Sequence, residues 1–130
     1  MNCQGALTVP LAPAEAVHLF TPEGERAWAP GWDPAHASAT VFTTDHHAHT
    51  IWVITDETTT TRRYVCVTPG VHAGTVEVRC EADGEQTRAH VTYDLAALGP
   101  EADLEAFAAR YDAMLAEWER LIAEACATSR

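Results

Sequence analysis

The 130-residue sequence contains no lysine. Its eight basic residues are all arginine, set against nineteen Asp and Glu, for a formal net charge of -11. A chain so poor in positive charge lacks the basic surface that replaces the counterions of nucleic acid or docks on anionic lipid. Neither nucleic acid nor a membrane is therefore expected as a partner. Long apolar runs are missing too, so no membrane span is expected. The first eleven residues hold no basic side chain and no long apolar stretch, which predicts no secretory signal and a cytoplasmic protein. Cys3, Cys66, Cys80 and Cys126 lie far apart with no Cys-x-x-Cys pair, and read as free buried thiols of a reducing compartment. No phosphate-binding glycine loop, paired-carboxylate motif or nucleophile-plus-base arrangement is evident, and no cofactor is expected.

What is present is enough apolar residue, 47%, for the core of a single domain over 1–130. The longest periodic stretch is 100–128. There Leu104, Phe107, Ala108, Tyr111, Met114, Leu115, Trp118, Leu121, Ile122 and Ala125 recur at helical spacing. A helix of that length runs roughly 40 Å. Gly99 and Pro100 predict its start, with Glu101 and Asp103 suited to the positive helix end. Upstream, 6–11 reads as a strand and 14–20 as a short helix. Thr21-Pro22-Glu23 supplies a hydroxyl cap, a proline and an acid for a second short helix, which ends at Pro30-Gly31. In this reading Glu23 and Glu25 are helix-start charges. Strands follow at 39–44, 50–55, 61–68, 75–81 and 87–95. Their connections are short, so neighbours pair antiparallel. Val76, Val78 and Cys80 oppose Glu77, Arg79 and Glu81, and Ala89, Val91 and Tyr93 oppose Arg88, His90 and Asp94, giving one buried and one wet face. The expected fold is α+β, a curved antiparallel sheet of six to seven strands wrapped on the long C-terminal helix, with two short helices after the first strand.

This order resembles the helix-grip fold of the SRPBCC superfamily, the Bet v 1-like, START-like and polyketide cyclase-like proteins. The segment Phe20-Thr21-Pro22-Glu23-Gly24-Glu25-Arg26-Ala27-Trp28-Ala29-Pro30-Gly31-Trp32-Asp33-Pro34 is similar to a bacterial subgroup of that superfamily. The stretches Thr50-Ile51-Trp52-Val53, Tyr64-Val65-Cys66-Val67-Thr68-Pro69-Gly70 and Thr92-Tyr93 fit the same pattern. The resemblance implies an apolar cavity between sheet and helix, entered near the short helices and hairpin tips. For so short a chain it implies a cavity that is small or filled by side chains.

Strand parity turns Tyr64, Cys66, Val76, Val78, Val91 and Tyr93 inward, and the helix face adds Phe107, Tyr111, Met114 and Trp118. Trp52 is a further ligand-binding candidate, although Ile51 and Val53 compete for its face. Trp28 and Trp32 are candidates to gate the cavity mouth, but turn chemistry explains most of this segment: Pro30 and Gly31 end a helix, Asp33 makes a turn and the indoles plug the sheet end. Such residues suit a site for a small hydrophobic or amphipathic molecule, held by sequestration. One alternative is a cyclase, dehydratase or hydrolase acting in the same cavity, with Tyr64, Tyr93, Tyr111 and His18 as catalytic candidates. Another is an interaction module with a vestigial cavity. Exposed hairpin edges would also allow a homodimer. Asp45, His46, His47 and His49 share a hairpin tip, with His72 on the same rim about 10 Å away. His47, His49 and His72 are the weak metal-ligand candidates, but their spacing is not that of a metal site, and no metal is expected.

Overall fold

Alternating β-branched and polar residues build seven strands among the residues described by the computed structural model, 1–45 and 48–128. They are β1 (Asn2–Val9), β2 (Ala35–His36), β3 (Val41–Thr44), β4 (Thr50–Glu57), β5 (Thr61–Thr68), β6 (His72–Asp83) and β7 (Gln86–Ala97). They form one antiparallel sheet in the order β1-β7-β6-β5-β4-β3-β2. The chain crosses from one sheet edge to the other through a helical segment, then meanders back. The helix α2 (Leu104–Thr128) lies against the inner face of the curved sheet. No helix among the described residues is long and apolar enough to cross a membrane.

Several boundaries differ from expectation, each for a local reason. The first strand is Asn2–Val9 rather than 6–11, because it pairs with β7 from Asn2↔Asp94 to Val9↔Thr87. The helix α2 begins at Leu104, not at Pro100. Asp103 Oδ1 accepts a 3.0 Å hydrogen bond from the Ala106 N–H, and this side-chain cap sets the start. The two short helices are tighter than α-helices. A single α-turn, α1 (Pro13–Ala16), runs into a 3-10 helix (Val17–Phe20), and a second 3-10 helix covers Gly24–Ala27. Thr21 caps this second turn as expected, its Oγ1 accepting the Gly24 N–H at 3.0 Å and donating to the His18 carbonyl at 2.8 Å. Gly24 is required at that spot, since a Cβ there would lie 1.7 Å from the His18 carbonyl oxygen.

The core has two parts. In one, Leu7 and Val9 of β1 pack with Ala89, Val91, Leu115 and Ile122. Tyr111 belongs here, its hydroxyl donating to the Val91 carbonyl at 2.6 Å. In the other, Phe42, Tyr64, Cys66, Val76 and Leu95 cluster with Trp32 and Trp52. A hollow is bordered by this second part and by Phe20, Trp28 and Val78 of the first. All four cysteines are buried.

Candidate functional site

The hollow is a cavity of about 340 Å3 between the sheet, α2 and the second 3-10 helix. That volume falls within the range of small-molecule sites. Its walls follow from register. Phe42, Trp52, Cys66, Gly74 and Leu95 are successive cross-strand partners from β3 to β7, and Ile54, Tyr64, Val76 and Tyr93 form the next row. The pairing Trp52↔Cys66 settles the face left open by the flanking Ile51 and Val53: Trp52 lines the cavity. Gly74 stands where β6 approaches β7 so closely that a Cβ would lie 1.8 Å from the Asp94 carbonyl oxygen. At one end of the sheet Thr44, Thr50, Thr68 and His72 form a polar border, tied by a 2.9 Å bond between the Thr50 and Thr68 hydroxyls. From α2 come Phe107, Met114 and Trp118.

All four tryptophans and all three phenylalanines of the chain line this one space, together with Tyr64 and Tyr93. Three of the indoles turn their N–H groups away from it. Trp28 donates to the Leu19 carbonyl at 2.7 Å, Trp32 to the Pro22 carbonyl at 2.8 Å and Trp52 to Thr44 Oγ1 at 2.9 Å. The rings brace one another, with Trp52 stacked on Phe42 at 5.9 Å and Trp28 edge-on to Trp118 at 5.6 Å. What Trp28, Trp32 and Trp52 offer a ligand is ring surface, not donors.

Into this aromatic wall the second 3-10 helix places Glu25. A 3-10 helix has three residues per turn, so Glu25 and Trp28 share one face. Arg26 takes the other, where it bonds Glu23 Oε2 at 3.0 Å, Asp33 Oδ1 at 2.9 Å and the Pro34 carbonyl at 2.9 Å. The Glu25 carboxyl has no partner among the described residues, and burial pushes its pKa up to about 8. Two other polar groups there lack partners. The Tyr93 hydroxyl bonds to none of the described residues, and its pKa is held well above the ordinary value, first by burial and then by the nearby Glu25 charge. His72 Nδ1 is buried and unpaired. The Tyr64 hydroxyl is different: it donates to the Phe20 carbonyl at 2.6 Å and so braces the first 3-10 helix. Burial pushes the Cys66 thiol up to about 11, against the opposing pull of a Gly74 backbone hydrogen bond.

The structure thus brings to the cavity Trp28, Trp52, Tyr64, Cys66, Val78, Tyr93, Phe107, Met114 and Trp118, as well as Val76 and Trp32. Three expected residues lie elsewhere. Val91 and Tyr111 belong to the solid half of the core, bonded to each other, and His18 is exposed on the first 3-10 helix. Of the metal candidates, His47 falls outside the described residues, as does His46. His49 is exposed and bonded to Asp45 Oδ1 at 2.6 Å, while His72 lines the cavity instead of joining it. Among the described residues no three potential ligands converge on a metal position. Glu25 was missed because an acid beside a helix start is accounted for by the helix dipole. Its three-residue spacing from Trp28 was the signal that could have found it.

No protein-family model matches the chain, and no curated protein matches it. Solved structures do. A conserved protein of Geobacillus kaustophilus superposes with a TM-score of 0.77 over 99% of this chain and 97% of its own, at 14% identity. The Zhui aromatase/cyclase of Streptomyces sp. R1128 gives 0.65 over 100% and 96%, at 18% identity. Ara h 8.0201 gives 0.65 over 98% of both chains, at 11% identity. At these identities the likeness is one of fold. With its long helix gripped by a seven-stranded antiparallel sheet, the chain has the helix-grip fold that it shares with the Zhui aromatase/cyclase and Ara h 8.0201.

Proposed function

We propose that the protein binds a small amphipathic molecule in this cavity. One observation carries the reading: three polar groups without protein partners, Glu25, the Tyr93 hydroxyl and His72 Nδ1, line a space otherwise walled by aromatic rings. His72 Nδ1 is buried outright, Glu25 and Tyr93 are half-buried and open to the cavity, and a ligand would supply the partners that the chain does not. Its apolar body leaves water at roughly 25 cal/mol per Å2, which gives several kcal/mol before binding entropy is subtracted. A sealed interaction module is less well supported. The large apolar side chains left exposed among the described residues are Val65 on β5 and Leu98 beyond β7, not a broad patch.

A second reading, catalysis on the bound molecule, is favoured by Glu25. A carboxyl with a pKa near 8 is protonated at neutral pH and can act as a general acid. Hydrolysis through a cysteine nucleophile is disfavoured, because Cys66 stays a thiol. Native mass spectrometry of protein purified without added ligand, then incubated with lipids and aromatic compounds, tests the binding reading. A discrete extra mass that is lost on denaturation is expected. An unchanged apo mass throughout would sink it.

A further inference from the structure

We infer that the molecule this cavity takes is an organic cation: a small quaternary ammonium or amine compound with an apolar body, its nitrogen set against the Glu25 carboxylate and the neighbouring indole faces. The inference rests on the cavity reading and specifies its ligand. Four observations carry it.

Among the described residues the lining contains one carboxyl and no Lys or Arg. The cation nearest in sequence, Arg26, is turned outward and engaged by Glu23, Asp33 and the Pro34 carbonyl. Glu25 is therefore an acid without a counter-charge, in a place where a buried carboxylate is costly unless paired. In the same lining, Trp28, Trp32 and Trp52 have their N–H groups occupied by the protein and contribute ring surface, which attracts cations. An anionic ligand would meet a carboxyl and ring faces in the same space. Finally, the formal charge of -11 raises the local concentration of cations, not anions, around the protein.

The titratable groups facing Glu25 across the cavity are Tyr64 and Cys66 of β5, His72 of β6 and Tyr93 of β7; α2 contributes the uncharged Phe107, Met114 and Trp118. The tyrosines and Cys66 remain protonated through neutral pH. Binding a cation requires ionised Glu25, so a proton leaves as the cation enters.

Phenyltrimethylammonium and its neutral isostere tert-butylbenzene provide the test, with binding read from fluorescence of the tryptophans lining the cavity. The quaternary nitrogen does not titrate, so pH dependence reports on the protein. The expected result is that the cation binds at least about tenfold tighter than the isostere at pH 9. Its affinity should rise about tenfold per pH unit below the Glu25 titration and level off above it. Glu25→Gln should lose both the preference and the pH dependence while retaining tert-butylbenzene. If the isostere binds as well as the cation at every pH, the cation inference is overturned and the cavity reading stands. If neither probe binds, both are overturned. The wild-type comparison decides between these outcomes even if the variant fails to fold.

Discussion

Glu25 and Trp28 lie one 3-10 turn apart and enter the same cavity, the acid unpaired and the indole anchored to the Leu19 carbonyl. The relationship depends on the tight turn. At the α-helical 3.6 residues per turn the two side chains would diverge by about 60° around the axis. Gly24 and Thr21 enforce it, the glycine by allowing the turn to sit on the His18 carbonyl and the threonine by capping it.

The first consequence is a pH-dependent stability. In the unfolded chain Glu25 loses its proton near 4.5, and in the folded protein near 8. Between those values the folded state binds more protons, so stability falls as pH rises. Urea denaturation at pH 5, 6.5 and 8 should show unliganded wild type losing on the order of 3 kcal/mol more than Glu25→Gln across this window. Parallel pH profiles for the two proteins would mean that the carboxyl is solvated.

The sheet was legible and the division of the core was not. Alternation turned Val76, Val78 and Tyr93 inward because a strand's period of two leaves no other choice once the opposite face is polar, as Glu77, Arg79 and Asp94 make it. Trp52 escaped that logic because Ile51 and Val53 make both faces apolar, and only the pairing with Cys66 decides. The helix stripe hid a subtler split. Phe107, Met114 and Trp118 face the hollow, while Tyr111 and Leu115 press on β1, where a Cβ at Gly5 would lie 2.5 Å from Leu115 Cδ1. Spacing of three and four marks one broad apolar face, and whether it covers a solid or a hollow region is set by residues distant in sequence. Likewise Gly99-Pro100 was the expected helix start, and the Asp103 side-chain cap moves it to Leu104.

Tyr64 and Tyr93 should separate cleanly on loss of their hydroxyls. Tyr64 donates to the Phe20 carbonyl inside the core, so Tyr64→Phe leaves a buried acceptor unsatisfied and should cost about 1–3 kcal/mol. Tyr93 makes no such bond, so Tyr93→Phe should change stability by less than about 0.5 kcal/mol. It should nevertheless weaken binding of ligands with a polar end. Thermal denaturation and ligand titration of both variants check this, and equal destabilisation would place the Tyr93 hydroxyl in the fold and not in the site.

Gly24→Ala tests how the cavity wall is positioned. The added methyl would meet the His18 carbonyl oxygen, a backbone atom that cannot rotate away, so the two 3-10 helices must separate. A loss of about 2 kcal/mol or more is expected, together with movement of Trp28 that alters fluorescence. A folded, spectroscopically unchanged variant would show that the turn tolerates displacement.

The cysteines supply a positional test needing no knowledge of the ligand's chemistry. Cys66 lines the cavity, whereas Cys80 packs in the solid half of the core, and burial pushes both thiols up to about 11. At pH 8 each is about one part in a thousand thiolate, so alkylation should run at least about a hundredfold slower than at an exposed cysteine. Ligand adds a difference between them. A molecule in the cavity covers Cys66 directly and reaches Cys80 only through overall stabilisation. Peptide mapping after iodoacetamide treatment should therefore show extra protection concentrated at Cys66 when ligand is bound. Equal protection of both would mean that labelling proceeds through unfolding, and unequal protection favouring Cys80 would place the ligand outside the cavity.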